Sequence, residues 1–350
     1  MQKVLVGMSG GVDSSVAAYL LQKSGYEVIG LNFTLNGNAH DEADLKAVCE
    51  RLDIKYYVED FSKVFNENVF NPFISEYEKG YTPNICVLCN KYIKFGALFE
   101  KAEQLGCDYV ATGHYCKTVT KNGRTYLKKA KDQNKDQTYF LSMISKDVLS
   151  KTLFPLGDLD KEEVRKIAEL NNIPTAKKKD SSDVCLVEKG KFSDFLKNHI
   201  RAKSGPIVSL TGEIVGKHEG LYRYTLGQRK GLNLGGKSGE DGRWFVVKKD
   251  VGNNALIVSH GKEEFLMTDT FTVENVNFLS EPPKDTFGCF VKTRYRAEYK
   301  PAVISIDGAK VKVVLNERER AVTVGQYAVF YDEDVCLGGG RISSVEEFLR

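Results

Sequence analysis

The sequence predicts an α/β protein: a parallel-sheet first half flanked by helices, followed by an all-β second half. Three observations carry this. Short β-branched apolar runs alternate with helical patterns over the first half, the arrangement that sandwiches a parallel sheet between helices. A glycine- and serine-rich turn follows the first of those runs directly. Beyond Ala202-Lys203-Ser204-Gly205-Pro206 the chain changes to glycine turns and short alternating strands. At 350 residues it exceeds one ordinary core, so two or three domains are expected.

In chain order, strand-like runs fall at 4–6, 28–33, 54–58 and 109–112, with helical patterns at 16–21, 45–52, 61–77 and 93–105. Ligands of such a sheet sit at the carboxyl ends of its strands, where residues 9–15 and Thr112-Gly113-His114 fall. Asp160 as N-cap with Glu163 three residues on announces a helix over 161–170, which Asn171-Asn172-Ile173-Pro174 ends. A further helix is expected over 191–200. Strands then follow at 245–247, 255–258, 270–276, 289–295, 303–306, 310–315 and 327–331, read as two small β modules that divide near Pro282-Pro283 or at 267–270.

Hydrophobic content of 42% and charged content of 28% are those of a soluble globular protein. No run approaches the roughly 18 apolar residues of a membrane span. Met1-Gln2-Lys3 leads straight into a strand, so no targeting segment is expected, and eight scattered cysteines fit a reducing cytoplasm. The net charge of +3 permits an anionic partner without demanding one. Locally, Lys117, Lys121, Arg124, Lys128, Lys129, Lys131 and Lys135 face one acid, Asp132. Lys177-Lys178-Lys179 form a second cluster, and Arg223, Arg229 and Lys230 a third. Each alone reads more readily as a solvated face, but three together put a polyanion partner on even terms.

Ser9-Gly10-Gly11-Val12-Asp13-Ser14-Ser15 supplies backbone amides, hydroxyls and a new helix N-terminus to one anion. It is not a Walker A loop, because no lysine follows the glycines. Asp13 instead suits a Mg²⁺ ion bridging pyrophosphate oxygens. The competing reading is a glycine turn with no ligand. A second feature is a turn-rich loop carrying Cys86 and Cys89 at C-x-x-C spacing, ahead of a helix expected to begin near Lys91; a helix N-terminus stabilises a thiolate. A third is Asp180-Ser181-Ser182-Asp183-Val184-Cys185, just after the three lysines. A lone C-x-x-C is often half of a zinc site, yet no second pair exists. With Cys185 as third ligand, the open corner suits a 4Fe–4S cluster as well as zinc. Cys49, Cys107, Cys116, Cys289 and Cys336 read as structural.

The string SGGVDSS resembles the PP-loop of the N-type ATP pyrophosphatases. With Thr82 to Phe95, Ala111 to Tyr115, Lys135 to Leu141, Asp180 to Cys185, Tyr224 to Leu232, Arg294-Tyr295-Arg296, Gly325-Gln326 and Cys336 to Gly340, the chain resembles the tRNA-specific 2-thiouridylases, the MnmA family, over nearly its whole length. The resemblance implies an adenine nucleotide α-hydrolase-like PP-loop domain (1–202), a small β-rich central domain (203–268) and a C-terminal β-barrel (269–350). It implies adenylation of the 2-carbonyl oxygen of the wobble uridine by ATP with Mg²⁺, then replacement of that oxygen by sulfur. Nucleotide contacts would come from Gly7, Met8, Ser9, Gly10, Gly11, Val12, Asp13, Ser14, Phe33 and Gly113. Cys185 would carry the persulfide supplied by a desulfurase or relay protein, and Cys89 would be its partner thiol. Asn84, Ile85 and Cys86 would surround the flipped base. Lys135, Asp136, Gln137, Arg294, Tyr295 and Gln326 would touch tRNA; His114 would join them or merely orient its loop.

Two departures stand out. Many members read Asn-Pro-Asp where this chain reads Asn84-Ile85-Cys86, so Cys86, Cys89 and Cys185 could hold a cluster as sulfur source; and the loop 35–41 lacks a cysteine pair often seen there. The rival readings are the same chemistry on another RNA uridine, a PP-loop amide-forming synthetase, for which no glutaminase-like segment exists, and a non-catalytic RNA-binding protein, which leaves the loop unexplained.

Overall fold

The structure, a computed structural model, describes residues 1–35, 38–39, 42–179, 191–235 and 242–346; the segment 180–190, with Cys185, lies outside the described residues. The first half is a parallel sheet in the order Lys55–Asp60, Glu27–Leu35, Lys3–Gly7, Tyr109–Thr112, Thr152–Leu153, with a short antiparallel strand, Asn38–Ala39, beside the end of Glu27–Leu35. The central strand is covered on both faces, which is why Val4, Leu5 and Val6 are all apolar and fully buried. From it the chain passes to a neighbour on one side and later to one on the other. That change of direction opens a crevice at the carboxyl ends of Lys3–Gly7 and Tyr109–Thr112. Helix Lys161–Leu170 starts in the expected capping box, Glu163 N–H on Asp160 and Asp160 N–H on Glu163.

The helix expected from residue 93 begins eight residues earlier. It runs as Ile85–Cys89, a wide π-helical stretch Asn90–Ala97, then Leu98–Gln104. Asn84 is its N-cap, its side chain accepting from the amides of Cys86 and Val87. The two cysteines therefore lie within the helix, not in a loop before it. The pattern over 61–77 is likewise broken into Ser62–Phe65, a π-helical turn Asn66–Phe70, and Asn71–Glu78.

The second half holds two further sheets. Ile214–His218, Gly205–Ser209, Ala255–His260 and Trp244–Asp250 form a four-stranded sheet around Ile207, Trp244, Val246, Leu256 and Val258. The six strands Met267–Phe278, Lys310–Arg320, Lys300–Asp307, Thr286–Lys292, Tyr327–Asp332 and Val335–Val345 close into a barrel, because the first pairs with the last. Strand Lys310–Arg320 alternates strictly over 310–315, as its sequence suggests, with Val311, Val313 and Leu315 pointing inward. A hairpin from the first half, Lys117–Lys121 and Arg124–Lys128, joins this sheet through Leu127 and Lys128 against Cys336 and Val335. So part of the basic run 117–135 is strand, turned by Asn122-Gly123, both at positive φ.

Candidate active site

The turn after Lys3–Gly7 feeds helix Val12–Lys23, whose N-terminus faces the crevice. Met8 and Val12 point their side chains into the core, so they offer the site only backbone. Ser14 and Ser15 hydroxyls both donate to the Gly11 carbonyl, at 3.2 and 2.8 Å, and the Ser9 amide donates to Ser14 Oγ at 3.3 Å, which fixes the loop. Gly113 lies directly against this helix start. A Cβ there would stand 2.7 Å from Asp13 C and Ser14 N, so only glycine fits. Asp13 Oδ1 accepts from Lys161 Nζ at 2.6 Å and from Tyr115 Oη at 2.8 Å. Lys178 Nζ donates to the Gly10 carbonyl at 3.0 Å and to Asp44 at 2.5 Å. Two ammonium groups thus flank a loop that lacks a lysine of its own. Sequence spacing hides both; only the fold brings residues so far along the chain to this turn.

His114 is buried, bonded through Nδ1 to the Thr112 hydroxyl at 2.8 Å, with its ring 5.5 Å from Phe95. Burial, and then the nearby Lys94 charge, hold its pKa well below the usual imidazole value, so it is neutral at pH 7. It therefore presents no cation to a phosphate. Phe33 stacks on Phe61, centroids 5.8 Å apart, and joins the apolar cluster that also contains Cys86 and Cys89. The end of the crevice at Phe33 and the cysteine helix are therefore neighbours.

Cys86 occupies the first turn of that helix and is half-buried; Cys89 lies one turn on and is buried. Residues three apart share a helix face. Ile85, one turn before Cys89 on the same face, is buried in the cluster that also holds both cysteines, with Phe65, Phe73, Ile93, Leu196 and Tyr222. Asn90 donates to the Cys86 carbonyl at 3.0 Å. Among the described residues no three histidine, cysteine or carboxylate side chains converge as a metal site. The five other cysteines carry thiols raised by burial, Cys49 to about 11 and Cys289 and Cys336 to about 12, as structural thiols should.

Residues 2–189 match a family model described as a tRNA methyl transferase HUP domain, 193–260 one described as a tRNA methyl transferase PRC-barrel domain, and 268–342 one described as an aminomethyltransferase beta-barrel domain. The tRNA-specific 2-thiouridylase MnmA of Proteus mirabilis is 47% identical, over 98% of this chain and 97% of its own. That of Yersinia enterocolitica is 48% identical over 97% and 95%. The chain belongs to the MnmA family. Among solved structures, a 4-thiouridine synthetase–RNA complex with bound ATP is similar over 56% of this chain and 50% of that one, at 16% identity and a TM-score of 0.36.

The positions expected to touch tRNA in the MnmA family divide by geometry. Arg294 is exposed, and Tyr295 beside it packs on Phe140 with centroids 4.4 Å apart. Lys135 is half-buried. Asp136, by contrast, is buried and accepts from the Ala130 amide and the Thr138 hydroxyl; burial raises its pKa against those bonds. Gln137 is stapled to Tyr115, its Oε1 accepting the Tyr115 amide at 2.9 Å. Gln326 Nε2 donates to the Thr82 carbonyl at 2.6 Å. The basic clusters are partly spent inside the molecule as well. Lys117 pairs with Asp158, Arg124 with Glu281, Lys131 with Asp160 and Glu163, and Arg223 with Glu219, while Lys129 covers the Tyr299 ring at 3.7 Å.

Proposed function

We propose that the protein exchanges oxygen for sulfur at C2 of the wobble uridine of tRNA, consuming ATP and releasing AMP and pyrophosphate. The observation that carries this is the adjacency of a phosphate-binding turn, an aromatic at its nucleotide end and two thiols on one helix turn, with Phe33 and both cysteines in one cluster. Methyl transfer, named in the family-model descriptions, would need neither that turn nor the thiols.

In this reading the amides after Gly10 and the ammonium groups of Lys161 and Lys178 hold the triphosphate, while Phe33 and Gly113 bound the adenosine. Lys161 and Tyr115 engage one oxygen of Asp13; the other accepts no bond among the described residues. That suits Mg²⁺, which takes one or two carboxylates and keeps its waters, and which would neutralise charge on the departing pyrophosphate. The uridine oxygen attacks the α-phosphate and pyrophosphate leaves. The terminal sulfur of a Cys185 persulfide then attacks C2, and AMP departs with the former uridine oxygen. Cys89 thiolate attacks Cys185 Sγ, leaving the sulfur and its electron pair on the base and a Cys89–Cys185 disulfide that an external thiol reduces. A persulfide donor in the cytoplasm, a desulfurase or relay protein, reloads Cys185. The first domain thus does the chemistry and the barrel meets the RNA.

Cys86 supports a second route, a cluster on Cys86, Cys89 and Cys185 as sulfur source. One experiment separates the two. Protein prepared without oxygen is assayed for iron, and the Cys86→Ser, Cys89→Ser and Cys185→Ser variants are given ATP, unmodified tRNA and a persulfide donor. The expected result is no iron, Cys86→Ser active, and 2-thiouridine lost by about a hundredfold or more in the other two with pyrophosphate release kept. Thiolation by Cys185→Ser overturns the persulfide route; bound iron with an inactive Cys86→Ser selects the cluster.

A further inference from the structure

We infer that the barrel holds the cysteine helix in register, with Glu76, Arg341 and Gln326 as positioning residues for the sulfur-transfer step. The inference rests on the thiolation reading only in taking the thiols of this helix as the reacting ones.

Between helix Asn71–Glu78 and helix Ile85–Cys89 lies a short connection, residues 79–84, that belongs to no sheet of its own. Its backbone groups need partners: the amides of Lys79, Gly80 and Tyr81 donate back to the preceding helix, and at Thr82 the barrel supplies both partners. The Thr82 amide donates to the Val324 carbonyl at 3.1 Å, and the Thr82 carbonyl accepts from Gln326 Nε2 at 2.6 Å. Gly325, between those two partners, has φ +95° and sits so close that a Cβ would stand 3.1 Å from Thr82 N and C and from Tyr81 Cβ. One turn before the connection, Glu76 takes a two-pronged bond from Arg341 of the last barrel strand, Nε to Oε2 at 2.9 Å and Nη2 to Oε1 at 2.7 Å. Both side chains of that pair are only about a fifth exposed, at 19% and 20%. The Arg341 guanidinium also lies 5.1 Å from the Tyr81 ring centroid. Planar two-pronged pairing fixes orientation as well as distance. The connection is thus clamped at both its entry and its middle.

The clamp extends to the helix cap and to the RNA side. Tyr327, paired with Arg341 across the barrel, accepts the Tyr139 hydroxyl on its carbonyl at 3.0 Å. The short helix Thr138–Leu141 that carries Tyr139 packs against helix Ile85–Cys89, which Asn84 caps. The Tyr139 ring lies 6.1 Å from that of Tyr295. A continuous set of packed and hydrogen-bonded groups therefore joins the Tyr295 surface to the start of the cysteine helix. Thr82 Oγ1, buried in the clamp with no hydrogen-bond partner among the described residues, leaves one polar group uncompensated in this arrangement. Tilting the barrel carries the cap, and hence Cys86 and Cys89, with it. Adenylation is set by the turn at residues 9–15 and does not depend on this clamp.

The test uses full-length Glu76→Gln, Arg341→Met and the double variant, with an unmodified tRNA transcript, ATP and a persulfide donor. Expected is a fall of about tenfold to a hundredfold in kcat for 2-thiouridine, the size of loss that misplacing a reacting group brings. Pyrophosphate release and the KM for tRNA stay within about twofold, and the double variant is no worse than the worse single one. Hydrogen exchange of the amides 82–90 speeds up in each variant, while that of helix Val12–Lys23 does not. The isosteric Glu76→Gln keeps the exchange measurement decisive if Arg341→Met fails to fold. Unchanged kcat, equal loss in both half-reactions, a KM increase alone, or unchanged exchange at 82–90 overturns the inference. A wild-type protein that makes no 2-thiouridine sinks the thiolation reading instead, and exchange still judges the clamp.

Discussion

Whether a glycine can be replaced depends on what its missing Cβ would meet, and the nucleotide turn offers two contrasting cases. At Gly113 the obstacle is backbone, Asp13 C and Ser14 N at 2.7 Å, which cannot rotate away. At Gly11 it is the Ser9 hydroxyl at 3.3 Å, the end of a side chain that can turn aside. Gly113→Ala must therefore displace the start of helix Val12–Lys23 and with it the amides meant for phosphate. It should cut pyrophosphate release by about a hundredfold, the scale expected when an ångström of misplacement enters a site, while Gly11→Ala costs less than about tenfold. Isothermal titration with ATP, run on both variants, checks the cause: affinity should fall sharply only in the first. Equal behaviour of the two would mean that the approach of residues 112–114 to the turn is not what shapes the site. His114 beside them contributes shape rather than charge, since burial holds its pKa well below the usual imidazole value.

At the scale of elements, the cysteine helix depends on a single cap. Asn84→Ala removes the acceptor for the Cys86 and Val87 amides, worth about 1 kcal/mol, while Asn84→Asp keeps it. Thermal unfolding should show a drop of that size for Ala and little for Asp. Thiolation should fall in Ala well beyond what the stability loss explains and be largely kept in Asp. If Ala retains thiolation, the cap is not what holds Cys86 and Cys89 in place. This helix also shows why parts of the molecule were legible in the sequence and others were not. The strand Tyr109–Thr112 is visible at both ends because a strand buried on two faces is one unbroken apolar run. Pro83-Asn84 reads as turn chemistry, and the same asparagine is also what a helix start looks like; only the fold decides between them. The π-helical stretches escape a search for a 3.6-residue period. The last barrel strand is masked by Gly338-Gly339-Gly340, and the hairpin by its lysines, although Asn122-Gly123 between alternating residues is a hairpin signal. In the site, the backbone cradle is local and hence readable, whereas Lys161 and Lys178 reach it only through tertiary structure.

Over the whole molecule, helix Asn71–Glu78 and the turn after it meet both the barrel and the central sheet, and one buried charge there has no hydrogen-bond partner among the described residues. Arg341 of the barrel grips Glu76, while Val251 and the stem of Lys249, from the central sheet, fill the room beside Gly80. Lys249 Nζ is buried with no hydrogen-bond partner among the described residues, and desolvation lowers its pKa to about 8. The unfolded chain returns it to about 10.4. Below pH 8 the lysine is protonated in both states, so the cost of burying its charge is present in full. Between about 8 and 10.4 the unfolded state binds more protons than the folded one, so stability rises with pH and the cost disappears. Lys249→Met keeps the stem and removes the charge. It should raise stability by about 1–3 kcal/mol at pH 7, and the gap between variant and wild type should close as pH approaches 10.4. Melting curves at pH 7, 8.5 and 10 measure this directly. A variant no more stable at pH 7, or a gap that does not narrow with pH, would mean that the ammonium group finds a partner in solution. If the gap behaves as expected, the charge weakens the seat of the central sheet on this helix. The barrel's grip through Arg341 is then the firmer of the two tethers on the cysteine-bearing connection.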